Sequence, residues 1–294
     1  MFTADEQTQF FESVLFEATG QSPTILFMEF LSGGCINIAV KLETTAGNFF
    51  VKFSERPEAS AMFAAEARGL ALLASTGTLR IPEVIAQGQK AGRGYLLLEY
   101  LPPGFRAKNY WATLGQGLAA LHGHHQAKFG LDFDNYIGDL VQNNTPSPNG
   151  TAFFIERRLQ AQAGLAFYNG LIDKALLNRM EQLYPKLADL LPNEPASLLH
   201  GDLWSGNVLV DLAGQAGLID PAVYYGFRET EIAFTQLFGG FDDTFYAAYQ
   251  EVLPLEQGFA DRAGIYNLYP LLVHVNLFGT AYLSGVERVL DRFV

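Results

Sequence analysis

The sequence predicts an α+β chain of two lobes, in which a β-rich N-terminal lobe precedes a mostly helical C-terminal lobe with one small hairpin. Two observations support this class: up to residue 101 most apolar runs are short and strand-like, and from residue 102 onward most have helical spacing. The Pro-rich "LPPG" at residues 101–104 stands between these regions. We therefore expect one lobe over residues 1–101, a second over residues 102–294, and a cleft between them.

The first lobe should begin with a helix and continue with strands. "TADE" at residues 3–6 is a capping box that predicts a helix, and Gly20 should end it. "TILFMEFL", "INIAVKLE" and "FFVKF" then predict three strands. Pro57 is well placed in the first turn of a second helix, and "PEVIAQG" with "YLLLEYL" predicts a further hairpin.

The second lobe should be built mainly from helices. Helical spacing predicts them at about residues 109–123, 153–168, 171–190, 228–238, 242–252 and 258–292. Strand-like pieces occur only around "HGDLWSGNVLV" (residues 200–210) and "GLID" (residues 217–220), where they predict the small hairpin. The run "DNYIGDLVQNNTPSPNG" (residues 134–150) is the longest segment that we expect to be a loop.

The bulk composition narrows the class of protein. Apolar residues make up 49% and charged residues 17% of the 294 residues, so a sizeable core is expected. A net charge of −12 without a basic cluster argues against nucleic acid or an anionic membrane as a partner. No run approaches the roughly 18 apolar residues of a membrane span, the N-terminus lacks a signal peptide, and Cys35 is the only cysteine. We therefore expect a cytoplasmic protein.

"HGDLWSGNVLV" contains the pattern most indicative of chemistry. Asp202 is followed five residues later by Asn207, which is the spacing of the catalytic base and a metal ligand in kinase catalytic loops. Asp220 follows the next strand-like piece, so a hairpin would place all three oxygen-bearing side chains at one end, where hard oxygens suit Mg²⁺. Each residue taken alone could be an ordinary turn residue. The three together favour one phosphoryl-transfer site.

The first lobe carries residues that suit a nucleotide. Lys52 lies in the strand "FFVKF", and Glu66 lies fourteen residues later within a helix. In kinases a strand lysine pairs with a helix glutamate and holds the α- and β-phosphates. The alternatives are a lysine that reaches solvent from the strand edge and a solvated helix glutamate.

Two further segments of this lobe have positions that suit ATP. Gly33 and Gly34 in "SGGCIN" lie where a glycine loop would cover the phosphates, although a Gly-Gly hairpin turn needs no ligand. Glu99 and Tyr100 in "LLLEYL" lie at the connector between the lobes, where backbone groups would meet an adenine. The first lobe is therefore predicted to be the nucleotide-binding lobe.

The chain resembles the fructosamine kinase (ketosamine-3-kinase) family, a relative of the aminoglycoside phosphotransferases with a protein-kinase-like fold. The resemblance runs from about residue 30 to residue 285. The residues that carry it include "GGCIN", "FFVKF", "MFAAEARGL", "DNYIG", "FFIERRL", "LLHGDLWSGNVLV", "LIDPAVYYGFRETEIAFTQLFGGF" and "LYPLLVHVNLFG". It implies ATP- and Mg²⁺-dependent phosphorylation of the 3-hydroxyl of a ketosamine, the rearranged product of a sugar and an amine. The phosphorylated product releases the amine, so the reaction repairs glycation.

The resemblance also implies roles for single residues. By matching motif positions, Asp202 is the base, Asn207 and Asp220 are metal ligands, and Lys52 with Glu66 holds the phosphates. The sequence departs from the family in having Glu231 where an aspartate is usual, and in having no tryptophan shortly before "FFIERRL".

Trp204 and Cys35 have roles of a different kind. Trp204 stands where protein kinases carry a lysine near the γ-phosphate, and there it offers an apolar wall and a cation–π surface to a ketosamine. The alternative is a tryptophan in the core. Cys35 resembles the family's nucleotide-loop cysteine, which is implicated in a redox switch through interchain disulfides. The chain is therefore expected to be a monomer or a disulfide-linked dimer, unless Cys35 is an inert turn residue.

Two other functions stay open on the sequence. The same fold could phosphorylate another hydroxyl, such as that of an aminoglycoside, a choline-like amine or a sugar. A nucleotide-binding pseudoenzyme is the second alternative. The presence of all five residues expected to bind phosphate or metal or to act as the base argues against it; these are Lys52, Glu66, Asp202, Asn207 and Asp220.

Overall fold

The computed structural model describes residues 4–31 and 38–294. The predictions for Gly33, Gly34 and Cys35 lie outside the described residues. The chain divides into two compact units, the first formed by Met1–Phe105 with Leu209–Ile219 and the second by Arg106–Val208 with Asp220–Val294.

The first unit is an antiparallel sheet with two helices. Its elements are α1 (Ala4–Thr19), β1 (Ile25–Leu31), β2 (Ile38–Thr44), β3 (Gly47–Ser54), α2 (Ala59–Ser75), β4 (Val84–Lys90) and β5 (Arg93–Glu99). The five strands have the order β1-β2-β3-β5-β4, so every predicted strand is present. Gly20 ends α1 with φ +69°, a conformation that glycine adopts without steric cost.

A single apolar face of α1 covers this sheet. Phe10, Phe11, Val14 and Leu15 recur at helical spacing and are all buried. They form one cluster with the inward residues of the central strands, which are Val40, Leu42, Val51, Phe53, Tyr95 and Leu97. Lys52 belongs to β3, one of the central strands of this sheet.

The second unit is mostly helical. In chain order its elements are α3 (Tyr110–His122), β6 (His125–Gln126), β7 (Asn135–Ile137), β8 (Leu140–Gln142), α4 (Gly150–Phe153), α5 (Ala161–Tyr168), α6 (Lys174–Leu183), α7 (Leu187–Leu190), β9 (Ala196–Leu199), β12 (Tyr224–Gly226), α8 (Arg228–Leu237), α9 (Asp243–Val252), α10 (Phe259–Phe278) and α11 (Leu283–Phe293). The strands β10 (Val208–Val210) and β11 (Ala216–Leu218) belong to the first unit, apart from Val208. A π-helix, Phe154–Gln160, joins α4 to α5, and β10 pairs with β11 as the predicted hairpin.

The prediction of a loop over residues 134–150 was wrong in its first half. β7 pairs with β8 in an antiparallel hairpin, with Asn135 opposite Gln142. The sequence also gave no sign of β6 and β12, which flank β9 in a three-stranded sheet. Strands of two or three residues are too short to show an alternating pattern, and their partners lie far away in the chain.

The core of this unit surrounds α10. Ile265, Leu268, Leu272 and Val275 are completely buried there and belong to one cluster with residues of α5, α8 and α11. Among the described residues, no helix is long and apolar enough to cross a membrane.

Candidate active site

Gly201 brings the segment before Asp202 into close contact with the segment after Asp220. The buried strand β9 ends at Leu199, and Gly201 then adopts φ +85°. A β-carbon at Gly201 would lie only 2.0 Å from the carbonyl oxygen of Ala222, so no side chain fits. The backbone N–H of Ala222 also donates to the carbonyl of His200 at 2.9 Å. The two motifs "HGD" and "DPA" are therefore joined through their backbones.

Asp202 and Asn207 are in direct contact. The Nδ2 atom of Asn207 donates to the backbone oxygen of Asp202 at 2.8 Å and to its Oδ2 at 3.0 Å. Burial, followed by the charge of Asp220, raises the pKa of Asp202 to about 7, even though the Asn207 hydrogen bond opposes the rise. The structure thus brings together the three residues that the spacing singled out.

Asp220 is held in an uncommon backbone conformation. Its φ is +55°, which few residues other than glycine adopt, and such strain concentrates at functional sites. Two buried amides fix the chain just after it, because Gln142 donates to the carbonyl of Ala222 at 3.0 Å and Asn135 donates to that of Val223 at 2.8 Å. The β7–β8 hairpin therefore determines where Asp220 stands.

The donor set fits a divalent cation such as Mg²⁺. The carboxylates of Asp202 and Asp220 lie near enough for the charge of one to raise the pKa of the other, and Asn207 adds an amide oxygen. These are hard oxygen ligands of the kind that Mg²⁺ takes in combination with phosphate oxygens. Within the described part of the chain, no three His, Cys, Asp or Glu side chains form a metal site by themselves. Oxygens of a bound nucleotide would complete the coordination.

Glu231 anchors the loop that carries Asp202, a role that the sequence did not reveal. Its carboxylate, on α8, accepts hydrogen bonds from the backbone N–H groups of Gly201 at 2.7 Å and His200 at 3.2 Å. His122, the last residue of α3, reaches the same carboxylate through Nε2 at 3.0 Å and contacts the Tyr249 hydroxyl through Nδ1 at 2.8 Å. His122 is thus both the end of α3 and a buried member of this network.

Arg158 is a second residue whose importance the sequence did not indicate. It is completely buried, with its guanidinium 4.1 Å from the ring centroid of Tyr224. It donates at 2.7 Å to the carbonyl of Asn143 and to Oδ1 of Asn144, and Asn144 in turn donates to Asn135 at 2.9 Å. Through Asn144, Arg158 is therefore connected to Asn135, one of the two amides that hold the segment after Asp220. The available sequence signal was the "RRL" motif within an apolar helix. Because one face of such a helix is buried, one of its two arginines could be expected to lie in the core.

Trp204 lies on the loop between Asp202 and Asn207 and is 40% exposed, so the alternative of a core tryptophan is wrong. A pocket borders Asp202 and Gly201. Tyr224, Tyr269 and His274 contribute aromatic rings to its wall. A ring-lined pocket beside a carboxylate suits a substrate with an apolar face and polar hydroxyls.

The first unit brings together the other predicted pair. Lys52 is on β3, opposite Leu96 of β5, and its Nζ lies 2.7 Å from Oε1 of Glu66 on α2. Their side chains are 10% and 15% exposed, so the pair is held with little freedom. The ammonium group of Lys52 on the sheet is thus held in place by the carboxylate of Glu66 on α2.

Glu99 and Tyr100 follow the last strand of the sheet. The backbone N–H of Glu99 donates to the carbonyl of Glu83 at 2.9 Å, and its carboxylate accepts from the N–H of Glu83 and contacts Arg80. Lys41 lies 5.0 Å from the ring centroid of Tyr100. Because its N–H is engaged, Glu99 would meet an adenine through its carbonyl oxygen.

Solved structures first define the class of protein. An aminoglycoside phosphotransferase crystallised with AMP-PNP and hygromycin B superposes with a TM-score of 0.64 at 16% identity, over 96% of this chain and 98% of that one. The "putative fructosamine-3-kinase" of Haemophilus somnus superposes with a TM-score of 0.89 at 32% identity, over 98% and 99% of the two chains. The prediction of a two-lobed protein-kinase-like fold is therefore confirmed.

Sequence relatives then narrow the class to one family. A family model described as fructosamine kinase matches residues 7–294. A "probable ketoamine kinase" of Synechocystis is 39% identical over 281 residues, which is 94% of this chain and 93% of that protein. The chloroplastic protein-ribulosamine 3-kinase of Arabidopsis thaliana is 37% identical over 281 residues, which is 94% of this chain and 85% of that protein. The chain belongs to the fructosamine kinase family.

Proposed function

We propose that this chain transfers the γ-phosphoryl group of ATP to the 3-hydroxyl of a ketosamine. The observation that carries the proposal is the contact between Asn207 and Oδ2 of Asp202, on a loop that is joined to the segment after Asp220. Phosphoryl transfer relies mainly on positioning and electrostatic stabilisation, and this arrangement holds three oxygen donors in one place. The family and the names of the relatives supply the ketosamine.

In this proposal the loop residues have separate tasks. Asp202 accepts the proton of the attacking hydroxyl, and its raised pKa of about 7 suits a base that works near neutral pH. Asn207 orients that carboxylate through its Nδ2 and offers Oδ1 to the cation. Asp220 offers a second ligand. Bound Mg²⁺ would neutralise charge on the phosphates, and Asp220 and Asn207 would hold it.

The first unit would hold the nucleotide. Lys52, kept in place by Glu66 at 2.7 Å, would contact the α- and β-phosphates. Gly33 and Gly34 would cover the phosphates, and Glu99 with Tyr100 would receive the adenine. Exchange of Lys52 for methionine tests the contact with the phosphates.

Trp204 would form the wall on which the substrate rests. Its partly exposed indole can stack on the sugar and attract a protonated amine, which are the two parts of a ketosamine. An aminoglycoside or a choline-like molecule also carries an amine and a hydroxyl. The substrate panel below therefore includes both alternatives.

The test is ADP release from Mg²⁺-ATP with ribulosyl-lysine, erythrulosyl-lysine, fructosyl-lysine, kanamycin and choline. The controls are Asp202→Ala and the isosteric Asp202→Asn, which keeps the shape of the loop. We expect turnover on at least one ketosamine, with loss of about 10³-fold or more in both variants. Turnover on kanamycin or choline alone would mean that the substrate is not a ketosamine. Nucleotide binding without any turnover would favour a pseudoenzyme.

We also propose that oxidation can join two chains through Cys35. Cys35 is the only cysteine, so a disulfide at this position has to be intermolecular. A non-reducing gel after mild peroxide treatment, with Cys35→Ser as the control, measures this directly. A band of dimer size that thiol reagents remove is expected; a monomer at every peroxide dose would end the idea.

A further inference from the structure

Gly206 lies directly beneath the indole of Trp204. A β-carbon at this position would lie 2.3 Å from Cη2, 2.5 Å from Cζ2 and 2.6 Å from Cζ3 of the ring. Real β-carbons essentially never approach other heavy atoms within 3.0 Å. The indole is thus folded back onto the backbone of the turn that links Asp202 to Asn207, and a side chain at position 206 is incompatible with it.

The backbone alone does not call for glycine at this position. Gly206 has no positive φ, in contrast to Gly201, so an alanine could adopt its conformation without strain. The three atoms nearest to the missing side chain all belong to Trp204. The steric requirement for glycine therefore comes from the tryptophan.

The same turn also lies close to a second glycine. A β-carbon at Gly240, which has φ +94°, would lie 2.7 Å from Cβ and Oγ of Ser205. Ser205 is the residue between Trp204 and Gly206. Gly240 therefore lets the "LFGGF" segment pack closely against Ser205, and Gly206 leaves room for the ring of Trp204.

We propose that Gly206 is a positioning residue that fixes the orientation of the Trp204 indole and thereby sets specificity for an amine-bearing sugar. This inference rests on the proposed ketosamine kinase function. A ring held at one angle presents one face at one distance from Asp202, which suits a ligand with its ammonium at a fixed distance from the phosphorylated hydroxyl. A mobile ring would discriminate less between a ketosamine and its parent ketose.

Substitution of Gly206 should displace the ring without unfolding the protein, because the indole is 40% exposed and has solvent to move into. The chain has two tryptophans, so the emission of a Trp111→Phe background reports Trp204 alone. In that background, Gly206→Ala should shift the emission maximum and increase acrylamide quenching by about twofold, with an unchanged circular dichroism spectrum. Gly164→Ala is the matched control, since a β-carbon there meets nothing within 4 Å. Unchanged emission and quenching in Gly206→Ala would overturn the proposal.

A double-mutant cycle then tests whether Gly206 acts through Trp204. The measured quantity is the ratio of kcat/KM for ribulosyl-lysine to that for ribulose, which lacks the amine. Gly206→Ala should lower this ratio by about tenfold, mainly through KM, and should have no further effect in a Trp204→Ala background. Equal losses in both backgrounds would show that Gly206 acts on the loop itself, and the proposal would fail. Absence of turnover on every ketosamine would count against the proposed function, while the fluorescence comparison would still decide the relation between Gly206 and Trp204.

Discussion

The carboxylate of Glu231 accepts a 2.7 Å hydrogen bond from the backbone N–H of Gly201, the residue immediately before Asp202. It also accepts from His200 and from the Nε2 of His122. Because a carboxylate can only accept, Nε2 of His122 carries a proton. A single buried side chain thus ties the loop that carries Asp202 to α8.

Glu231→Ala should therefore impair both folding and catalysis. It leaves two backbone N–H groups and one imidazole without their acceptor in a buried place, which should reduce the free energy of unfolding by about 3–5 kcal/mol. We expect kcat to fall at least about tenfold because Asp202 loses its support. Urea unfolding and steady-state kinetics measure the two effects. Glu231→Gln, which keeps one acceptor oxygen, is the control and should lose less in both assays.

The same carboxylate should make stability depend on pH. Burial by itself would raise the pKa of Glu231, but the hydrogen bond and charge of His122, with the Gly201 N–H, bring it below the ordinary value of 4.5. A lowered folded-state pKa contributes stability that is fully present above 4.5 and is lost as the pH falls through the folded value. The difference in melting temperature between the wild type and Glu231→Gln should thus be large at pH 7 and shrink below pH 4.5. A difference that stays constant from pH 7 to pH 3.5 would contradict this assignment.

Gly201→Ala should be among the most damaging substitutions of a small residue. The new methyl group would have to occupy a left-handed conformation and would lie 2.0 Å from the carbonyl oxygen of Ala222. We expect a loss of about 3 kcal/mol or more in the free energy of unfolding. Gly77→Ala separates the two causes, because Gly77 has φ +65° but nothing within 4 Å of the missing side chain. That control should lose only about 1–2 kcal/mol from the backbone conformation. Equal losses would rule out the contact with Ala222.

Lys52→Met should weaken nucleotide use. The methionine keeps the length of the side chain, removes the cation, and leaves Glu66 without the partner at 2.7 Å. We expect kcat/KM for ATP to fall by about 10²-fold or more, since the charge next to the phosphates is lost. Lys90→Met is the matched control, because Lys90 pairs with Glu17 at 2.9 Å on the exposed surface of the same unit. Similar ATP kinetics in the two variants would remove Lys52 from the nucleotide site.

Apart from the β10–β11 hairpin, which short apolar runs beside Asp202 and Asp220 indicated, the parts of the fold that the sequence predicted are those with a long periodic signal. The strands β1 to β5 and most helices span seven residues or more, and their apolar spacing is visible in the chain. The hairpin of β7 and β8 has strands of three residues, so no period could be seen. It was expected to be a loop, although it holds Asn135 and Gln142 in the core.

The candidate site likewise contains residues that the sequence revealed and residues that it did not. Asp202, Asn207 and Asp220 were found because their spacing along the chain is itself the signal. Glu231 and His122 are 109 residues apart, and a glutamate within "RETEIAF" has the same appearance whether it is solvated or buried. Their role depends on tertiary contacts between helices, which one sequence does not display.

Arg158 allows the last and most demanding prediction. Its guanidinium stacks on Tyr224, Phe153 and Tyr269 at 4.1, 4.6 and 5.5 Å and donates to Asn143 and Asn144. Its guanidinium also donates to the carbonyl of Arg157 at 3.2 Å, and none of the ion pairs among the described residues includes it.

Arg158→Lys keeps the charge but removes the planar fork and the stacking surface. We expect it to reduce the free energy of unfolding by about 2–4 kcal/mol. The affected amides hold the carbonyls of Ala222 and Val223, so kcat should fall as well. The adjacent Arg157→Lys is the matched control: Arg157 is partly exposed, and its contact with Glu156 is 3.9 Å. Its stability should stay within about 0.5 kcal/mol of the wild type. If Arg158→Lys were as stable and active as Arg157→Lys, the amide network could not depend on the guanidinium, and the placement of Asp220 would have to rest on the β7–β8 hairpin alone.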